Sequence, residues 1–336
     1  MPSLPDDAPM VVITDYDFGD IDIERNILNA AGIQVTALQA KSEDDLAAVA
    51  PTCAGMINQY ARIGEKTIER MQQCKVIARY GVGVDIVAVD AATAKNIQVT
   101  NVQDYCTDEV ADHAIALWLN LARGVLAYDQ ATHQGIWRWQ SAQPLQRIRG
   151  QTLGIVSFGK IGRAIAKRAR PFGVRLIAYD PYLKTADGQV EDVTLVSKEQ
   201  LLRESDAILM QAPMNQETHH FLSHKEFALM KSGALLINTG RGPTVDNKAL
   251  YDALCRGQCA GAALDDTEEE PAKRAQWLPS DNPLFTHPKV LITPHAAYYS
   301  EQSLRQARET AAHEVARVLK GLTPSYPVNH IQTSQP

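Results

Sequence analysis

Short apolar runs alternate with helical patterns along almost the whole chain. In the first hundred residues, the runs predicted as strands are 11–14, 35–38, 54–58, 75–80 and 97–102. A helical pattern at 23–31 separates the first two of them. Strands that alternate with helices form βαβ units, in which helices cover a parallel sheet. The pattern therefore predicts an α/β fold for this part of the chain.

The second half contains longer and more uniformly apolar runs. They are predicted as strands at 152–158, 174–180, 207–213, 234–240, 260–266 and 290–295. Near-continuous apolar strands are typical of parallel sheets that are covered on both faces. Ligands of such sheets bind at the carboxyl ends of the strands. Residues expected at one crevice are therefore Asp180, Pro213, Arg241, Asp265 and His295.

Two long helices frame these strands. One is predicted over 107–125, with Thr107 or Asp108 as its N-cap, and the other over 300–324, ended by Gly321 and Pro324. The first is apolar on several sides, which indicates a place in a core or at an interface. The polar stretch that follows it contains "GIWRWQ" at 135–140.

Length and composition narrow the class of protein. A chain of 336 residues with 45% hydrophobic and 21% charged residues forms one large or two ordinary domains. A net charge of −6 argues against nucleic acid or an anionic membrane as the main partner. The acidic, proline-rich start is not a signal peptide, and the most apolar helical run is too short and polar to cross a bilayer. Five scattered cysteines are expected to be reduced, which predicts a cytoplasmic protein.

A glycine motif stands in the middle of the chain. Residues 157–162 read S-x-G-x-x-G, directly after a predicted strand and at the start of a helical pattern. Gly159 would let the backbone approach a pyrophosphate, Gly162 would let the helix pack on its strand, and the helix N-terminus would favour phosphate. Ser157 replaces the first glycine, which costs little if its φ is negative. A strand–helix turn of an unrelated α/β domain is the alternative.

Asp180 suggests which dinucleotide binds. It ends the next predicted strand, 18 residues after Gly162, where a carboxylate can accept both ribose hydroxyls of NAD. It would repel a 2′-phosphate, and the following residues, "PYLK", offer no arginine to compensate. The sequence therefore predicts NAD rather than NADP.

Three charged residues near strand ends suggest carbonyl reduction. Arg241 can hold the carboxylate of a 2-oxo acid and polarise its ketone. His295 can protonate the ketone oxygen, and Glu270 beside the imidazole would favour its protonated form. Each residue alone is more often structural, but the three together form a coherent set. We expect no metal, because the sequence shows no clustered zinc ligands.

Several segments resemble the D-isomer-specific 2-hydroxyacid dehydrogenase family. They are "RYGVGVDIVAVDAA", "NVQDYCTDEVADHAIAL", "LGIVSFGKIGRAIA", "YDPY", "LLINTGRGPTVDNKALYDAL", "GAALDDTEEEP" and "TPHAAYYSEQ". The resemblance covers about 54–325, with the family's motifs in order. It is strongest to the phosphoglycerate dehydrogenase-like and C-terminal-binding-protein-like branch. Departures are Ser157, Tyr298 in place of a tryptophan, and Ile86 in place of an asparagine.

The resemblance implies two parallel-sheet domains, one Rossmann-like and one flavodoxin-like, with the NAD domain inserted into the substrate domain. Residues 1–103 and 298–336 would form the substrate domain, and 104–297 the NAD-binding domain. It also implies a homodimer formed through the NAD domain, in which Trp137 or Trp139 lines the partner's pocket.

The resemblance also assigns site residues. The catalytic residues would be Arg241, Glu270 and His295. The cofactor contacts would be Val82, Thr107, Val156, Phe158, Gly159, Lys160, Ile161, Asp180, Ala212, Pro213, Asn215, Thr218, Thr239, Arg241, Asp265, His295, Ala297 and Tyr298. The substrate contacts would be Asn58, Tyr60, Tyr80, Val82, Gly83, Arg241 and His295.

Two functions follow as hypotheses. The first is an NAD-dependent oxidoreductase that interconverts a small 2-oxo acid and its D-2-hydroxy acid. The alternative is an NADH-responsive interaction protein of the corepressor type, in which dehydrogenase activity is incidental. Retention of all three catalytic residues favours the enzyme.

Overall fold

The computed structural model describes residues 5, 7–184, 188–269, 271 and 276–331. Within these residues the strands are β1 Met10–Ile13, β2 Gln34–Ala37, β3 Gly55–Asn58, β4 Val76–Arg79, β5 Gln98–Thr100, β6 Thr152–Val156, β7 Arg175–Tyr179, β8 Gln189–Val190, β9 Val193–Leu195, β10 Ala207–Met210, β11 Ala234–Asn238, β12 Cys259–Leu264 and β13 Val290–Ile292. The α-helices are α1 Asp22–Ala30, α2 Glu65–Arg70, α3 Val89–Ala94, α4 Thr107–Arg123, α5 Val125–His133, α6 Lys160–Ala169, α7 Lys198–Glu204, α8 His224–Leu229, α9 Asn247–Cys255 and α10 Glu301–Leu319.

Strands β1–β5 form one parallel sheet, in the order β2-β1-β3-β4-β5. This is the flavodoxin-like order, in which the chain reverses direction beside β1. Val11–Ile13 of β1 and the apolar residues of β3 and β4 are buried, as the continuous apolar runs predicted. Helix α10 packs on α1 and on β3 and β4, so the last helix covers the first sheet.

Strands β6–β13 form the second sheet, in the order β13-β12-β11-β10-β6-β7-β9-β8. All its pairs are parallel except the β8–β9 pair. Taken in chain order without β8 and β13, the strands follow the doubly wound order 3-2-1-4-5-6 of dinucleotide-binding folds. The order reverses between β6 and β10, which is the point where such sheets bind their ligand.

The chain divides into two compact units, each with one of these sheets. The first unit contains the described residues up to Cys106 and from Ser300 onwards, and the second contains those within Thr107–Glu270 and Gln276–Tyr299. The two parallel sheets confirm the predicted fold class. The functional assignment of residues 1–103 and 298–336 to substrate, and of 104–297 to NAD, stays a prediction.

Some local details differ from the expected elements. The helix predicted over 107–125 ends at Arg123, because Gly124 adopts a left-handed conformation with φ 61° and a second helix begins at Val125. A Cβ at position 124 would lie 2.5 Å from the Cβ of Ala142, so the break also needs glycine for space. The short strands β8 and β9 were not predicted.

Candidate active site

The glycine motif forms the turn that joins β6 to α6. Ser157 stands at φ 70°, in the left-handed region, so the condition under which serine would cost little is not met. This conformation costs a non-glycine residue about 1–2 kcal/mol. Gly162 is required by packing, because a Cβ there would lie 2.6 Å from the carbonyl oxygen of Ser157. A Cβ at Gly159 would meet no atom within 4 Å, so the backbone at the start of α6 faces open space.

Asp180 lies beside this turn, immediately after β7. Its Oδ2 accepts the backbone N–H of Phe158 at 2.9 Å, and its Oδ1 accepts that of Tyr182 at 3.0 Å. The Tyr182 hydroxyl donates to Glu217 at 3.0 Å, which raises the pKa of the phenol. The fold thus adds a second carboxylate, Glu217, close to the predicted ribose site. Sequence reasoning missed Glu217, because it lies 37 residues further along the chain than Asp180.

The residues after β10 and β11 form further ordered turns. Asn215 Oδ1 accepts the N–H of Thr218 at 2.9 Å, and the Thr218 hydroxyl donates to the carbonyl oxygen of Pro213 at 2.6 Å. Gln211 Nε2 donates to the Thr239 hydroxyl at 2.7 Å, which ties the end of β10 to that of β11. These predicted cofactor contacts therefore lie on two neighbouring strands.

Arg241 is held in a tight turn after β11. The buried Asn238 accepts the N–H of Gly240 at 3.0 Å and donates to the carbonyl oxygen of Arg241 at 3.0 Å. The N–H of Gly242 donates to Asp266 Oδ2 at 3.0 Å. A Cβ at Gly242 would lie 2.0 Å from the carbonyl carbon of Thr267, so this glycine allows the turn to pack on the segment after β12. Arg241 itself is half-buried.

His295 follows β13 in a turn that Asp265 organises. His295 stands at φ 52°, and its N–H donates to the carbonyl oxygen of Asp265 at 2.7 Å. The buried Asp265 carboxylate accepts the N–H groups of Ala296 and Ala297, both at 2.9 Å, and the Thr293 hydroxyl at 2.6 Å. Asp265 was expected to contact the cofactor, whereas the described contacts of its carboxylate hold the His295 turn.

Helix α4 contributes one more residue to this turn. His113 Nε2 lies 3.0 Å from the Thr293 hydroxyl and 3.6 Å from Asp265 Oδ1. Neither sequence spacing nor charge pattern indicated His113.

The same helix begins at Thr107, a predicted cofactor contact, which is half-buried, and Asp108 pairs with Arg168.

Glu270 lies outside the described residues. Two residues earlier, Glu268 Oε1 lies 2.5 Å from His220 Nε2. The segment that leads to position 270 is therefore anchored, because Asp265, Asp266 and Glu268 all hold partners.

The predicted substrate residues of the first unit lie at the carboxyl ends of β3 and β4. Asn58 is fully buried and donates to the carbonyl oxygen of Ala61 at 3.0 Å. The Tyr80 hydroxyl donates to Glu24 at 2.9 Å, and burial together with this carboxylate raises the pKa of the phenol well above its usual value. Both side chains therefore have structural partners, which sequence reasoning did not foresee.

The other substrate candidates are more open. The backbone N–H of Tyr60 donates to Asp15 at 2.7 Å. Val82 is 45% exposed, its carbonyl oxygen accepts from Asn101 at 2.7 Å, and Gly83 is half-buried. Val82 and Gly83 are therefore more accessible to a ligand than the buried Asn58 and Tyr80.

Together, the doubly wound sheet, the glycine turn at its switch point and the carboxylate after β7 define a dinucleotide-binding protein of the NAD type. Residues 115–297 match the model of the D-isomer specific 2-hydroxyacid dehydrogenase, NAD binding domain. The chain therefore belongs to the D-isomer specific 2-hydroxyacid dehydrogenase family, and the predicted family, enzyme class and NAD cofactor are confirmed. No helix in the described part of the chain has the length and hydropathy to span a membrane. A cytoplasmic location stays a prediction.

Named relatives illustrate the range of the family. Over 296 residues the chain is 34% identical to D-3-phosphoglycerate dehydrogenase of Methanocaldococcus jannaschii, covering 88% of this chain but only 55% of that protein. Over 270 residues it is 37% identical to glyoxylate reductase of Korarchaeum cryptofilum, covering 80% of each. The structure of D-lactate dehydrogenase from Aquifex aeolicus, complexed with NAD and lactic acid, matches with a TM-score of 0.82 and 28% identity, over 93% of this chain and 96% of that one.

The residues present fit NAD. The open space in front of Gly159 leaves room for phosphate at the start of the ten-residue helix α6, where the helix dipole and the N–H groups of the first turn favour anions. The Asp180 carboxylate stands beside the same turn, bonded to Phe158.

Proposed function

We propose that this chain reduces a small 2-oxo acid to its D-2-hydroxy acid, and catalyses the reverse reaction, with His295 as proton donor and acceptor. The observation that carries the proposal is the turn at 293–297, which the Asp265 carboxylate and carbonyl hold around His295. The names of the relatives, glyoxylate reductase and D-3-phosphoglycerate dehydrogenase, support a small 2-oxo acid as the substrate class.

The chemistry divides between the cofactor and the chain. Bound NADH supplies the hydride that the carbonyl carbon accepts. The ketone oxygen becomes an alcohol as the His295 imidazolium gives it a proton, and in the reverse direction the neutral imidazole takes that proton back. Strained backbone is a frequent feature of functional sites, and the φ of 52° at His295 agrees with this role.

Arg241 would bind the carboxylate of the substrate. A guanidinium presents paired N–H donors that match a carboxylate, and it stays charged throughout the neutral range. The turn that holds it is rigid, because Asn238 bridges it and Gly242 packs on Thr267. Because the backbone is already fixed, Arg241 loses less conformational entropy when it binds substrate.

The role of Glu270 rests on the resemblance alone. A carboxylate beside His295 would favour the imidazolium and hold the ring in place. The substitution Glu270→Gln should then shift the pH–rate profile for reduction. An unchanged profile would remove Glu270 from this role.

The remaining assignments are proposals of the same kind. NAD would contact the glycine turn, Asp180, the segment after β10 and Thr239. Substrate contacts from the first unit would come from backbone at Tyr80–Gly83 and from Asn58 and Tyr60. Because the Tyr80 hydroxyl is bonded to Glu24, its contribution would be made by the main chain.

The experiment is NADH oxidation by the full chain with glyoxylate, hydroxypyruvate, pyruvate and phenylpyruvate. Turnover of at least one of them, abolished by His295→Ala, is the expected result. Tight NADH binding without turnover of any acid would contradict the proposal and favour the corepressor-like alternative. A control is His224→Ala, since His224 is an exposed histidine on α8.

We also propose that the chain forms a homodimer through its NAD-binding domain. After α5, Trp137 and Trp139 are 89% and 70% exposed, and Ile136 is 43% exposed. Apolar side chains that cluster on a surface in this way are typical of an interface. Sedimentation at low micromolar concentration should give a dimer of the 36.9 kDa chain. A folded, active monomer would refute the proposed dimer. If Trp137→Ala and Trp139→Ala left the substrate preference unchanged, only the proposal that one of these tryptophans lines the partner's pocket would fail.

A further inference from the structure

Two adjacent histidines and a glutamate meet in the second unit, outside the proposed catalytic set. His219, His220 and Glu268 each offer a ligand atom, and these atoms all lie within 4.8 Å of one another. His219 is exposed, and the side chains of His220 and Glu268 are 33% and 26% exposed, so water and ions can reach the group. The sequence predicted no metal because these ligands are about 48 residues apart, and only the fold brings them together.

The backbone gives these histidines an uncommon arrangement. His220 stands at φ 49°, a left-handed conformation that is uncommon for residues other than glycine. The two imidazole rings stack with their centroids 4.0 Å apart and their planes 23° apart. Side chains of consecutive residues in an extended chain point to opposite faces, so this conformation is what places both rings on one side. Strained backbone of this kind is enriched at ligand sites.

The ligand atoms also have the supporting partners that metal sites use. Glu268 presents Oε1 to His220 Nε2 at 2.5 Å, while its Oε2 accepts the N–H of Asn247 at 3.3 Å. Asp246 Oδ2 lies 4.0 Å from His220 Nδ1. At this distance the Asp246 carboxylate is not hydrogen-bonded to the ring, but its charge favours an N–H at Nδ1, which leaves Nε2 to ligate. With a metal on Nε2, the proton of a neutral imidazole would sit on Nδ1, facing Asp246.

Two imidazoles and one carboxylate are a ligand set that suits Zn²⁺, with a fourth position left for water. Ligands at about 2.0–2.2 Å from a tetrahedral ion are on the order of 3.4 Å apart. The 2.5 Å His220–Glu268 contact must therefore open by about 0.9 Å, and the other ligand atoms, which lie within 4.8 Å of one another, must draw in by at most about 1.4 Å. The exposed His219 side chain can make most of that movement.

We propose that His219, His220 and Glu268 form a Zn²⁺ site, with Asp246 and Asn247 as its supporting partners. Bound zinc would tie together three segments of the second unit. They are the turn after β10 that contains Thr218, the turn at 241–246 and the segment after β12. The His220 N–H already donates to the carbonyl oxygen of Pro243, in the second of these, at 2.8 Å. Zinc would therefore stabilise the folded chain independently of NAD, because a ligand that binds only the folded state shifts unfolding.

The test measures zinc binding by the untagged full chain, by calorimetry and by the absorption of Co²⁺ in its place. One ion per chain is expected, together with the visible bands of tetrahedral Co²⁺ and a rise in Tm that a chelator reverses. His219→Ala should weaken zinc binding at least 100-fold while leaving the metal-free Tm unchanged, because the side chain is exposed. Glu268→Gln keeps an acceptor for Asn247 and should weaken binding at least tenfold.

The matched control is His224→Ala, which removes an exposed histidine of the same unit that faces Asp252 at 4.0 Å. It should bind zinc as the unchanged chain does. Absence of stoichiometric binding would overturn the proposal and leave His220 and Glu268 as a hydrogen-bonded pair only. Binding that His219→Ala and Glu268→Gln leave unaltered would overturn it equally, by placing zinc elsewhere.

Discussion

The backbone N–H of His295 donates a 2.7 Å hydrogen bond to the carbonyl oxygen of Asp265. The carboxylate of the same aspartate holds the next two residues through their N–H groups. A residue other than glycine at φ 52° costs about 1–3 kcal/mol. Asp265 therefore stabilises a turn that residues 295–297 would not favour by themselves, and the position of the imidazole depends on a side chain 30 residues earlier.

Replacing this aspartate should loosen the turn. In Asp265→Asn, an NH₂ group faces a backbone N–H that a carboxylate oxygen had accepted, so one buried donor is left without a partner. We expect a loss of about 1–3 kcal/mol in the free energy of unfolding, together with at least a tenfold fall in kcat. Thermal unfolding and steady-state kinetics measure the two effects. Asp252→Asn, on the surface of α9, is the control. If the two variants lost the same free energy of unfolding and the same kcat, the prediction would be contradicted.

Removing the imidazole tests the proton transfer itself. His295→Ala should lower kcat for 2-oxo acid reduction by about a hundred- to ten-thousandfold, the range of general-acid contributions. NADH affinity, measured by quenching of protein fluorescence, should change little, since the glycine turn and Asp180 are untouched. Retention of more than a tenth of the activity would show that another group supplies the proton.

Ser157→Gly should stabilise the protein. Serine at φ 70° carries a conformational cost that glycine does not. The expected gain is about 1 kcal/mol, reduced by the greater freedom of glycine in the unfolded chain, and NADH should bind at least as tightly. Ser197→Gly provides the contrast, because Ser197 stands at φ −66° and caps α7 through a bond from the Gln200 N–H. Ser197→Gly should lower the free energy of unfolding. If both substitutions changed the free energy of unfolding in the same direction, the argument would be refuted.

The elements with strong apolar runs could be predicted from sequence, and so could the glycine turn and Asp180. These features depend on residues close together in the chain, where strand period and turn chemistry act. The partners that hold the site could not be predicted. Glu217 near Asp180, and His113 near the His295 turn, come from distant segments and depend on how the sheet is assembled. The positive φ of Ser157 could not be predicted either. The turn between β6 and α6 requires this conformation, although serine by itself disfavours it.

Charge at the ribose site should decide between the two dinucleotides. Asp180→Asn removes the negative charge and keeps one oxygen, which can still accept the Phe158 N–H, while the Tyr182 N–H loses its acceptor. We expect the unchanged chain to prefer NADH over NADPH in kcat/KM, and Asp180→Asn to narrow that preference at least tenfold. Glu217→Gln should narrow it less, because that carboxylate reaches the site through Tyr182. Equal efficiency of the unchanged chain with both cofactors would show that Asp180 does not discriminate.

Stability at high pH should depend on Cys259. This thiol is fully buried in β12, and burial raises its pKa to about 12 from its ordinary value of 9.0. Between these values the unfolded chain loses the proton while the folded chain keeps it, so the stabilising contribution is present below pH 9 and is lost as pH rises towards 12. The expected slope is at most about 1.4 kcal/mol per pH unit from this residue. Urea unfolding at pH 8, 9 and 10 should show that the free energy of unfolding falls with pH, and that it falls less steeply in Cys259→Ala. The control is Cys255→Ala, which removes an exposed thiol of α9 and should show the same dependence on pH as the unchanged chain. Parallel curves for Cys259→Ala and the unchanged chain would assign the alkaline loss to other groups.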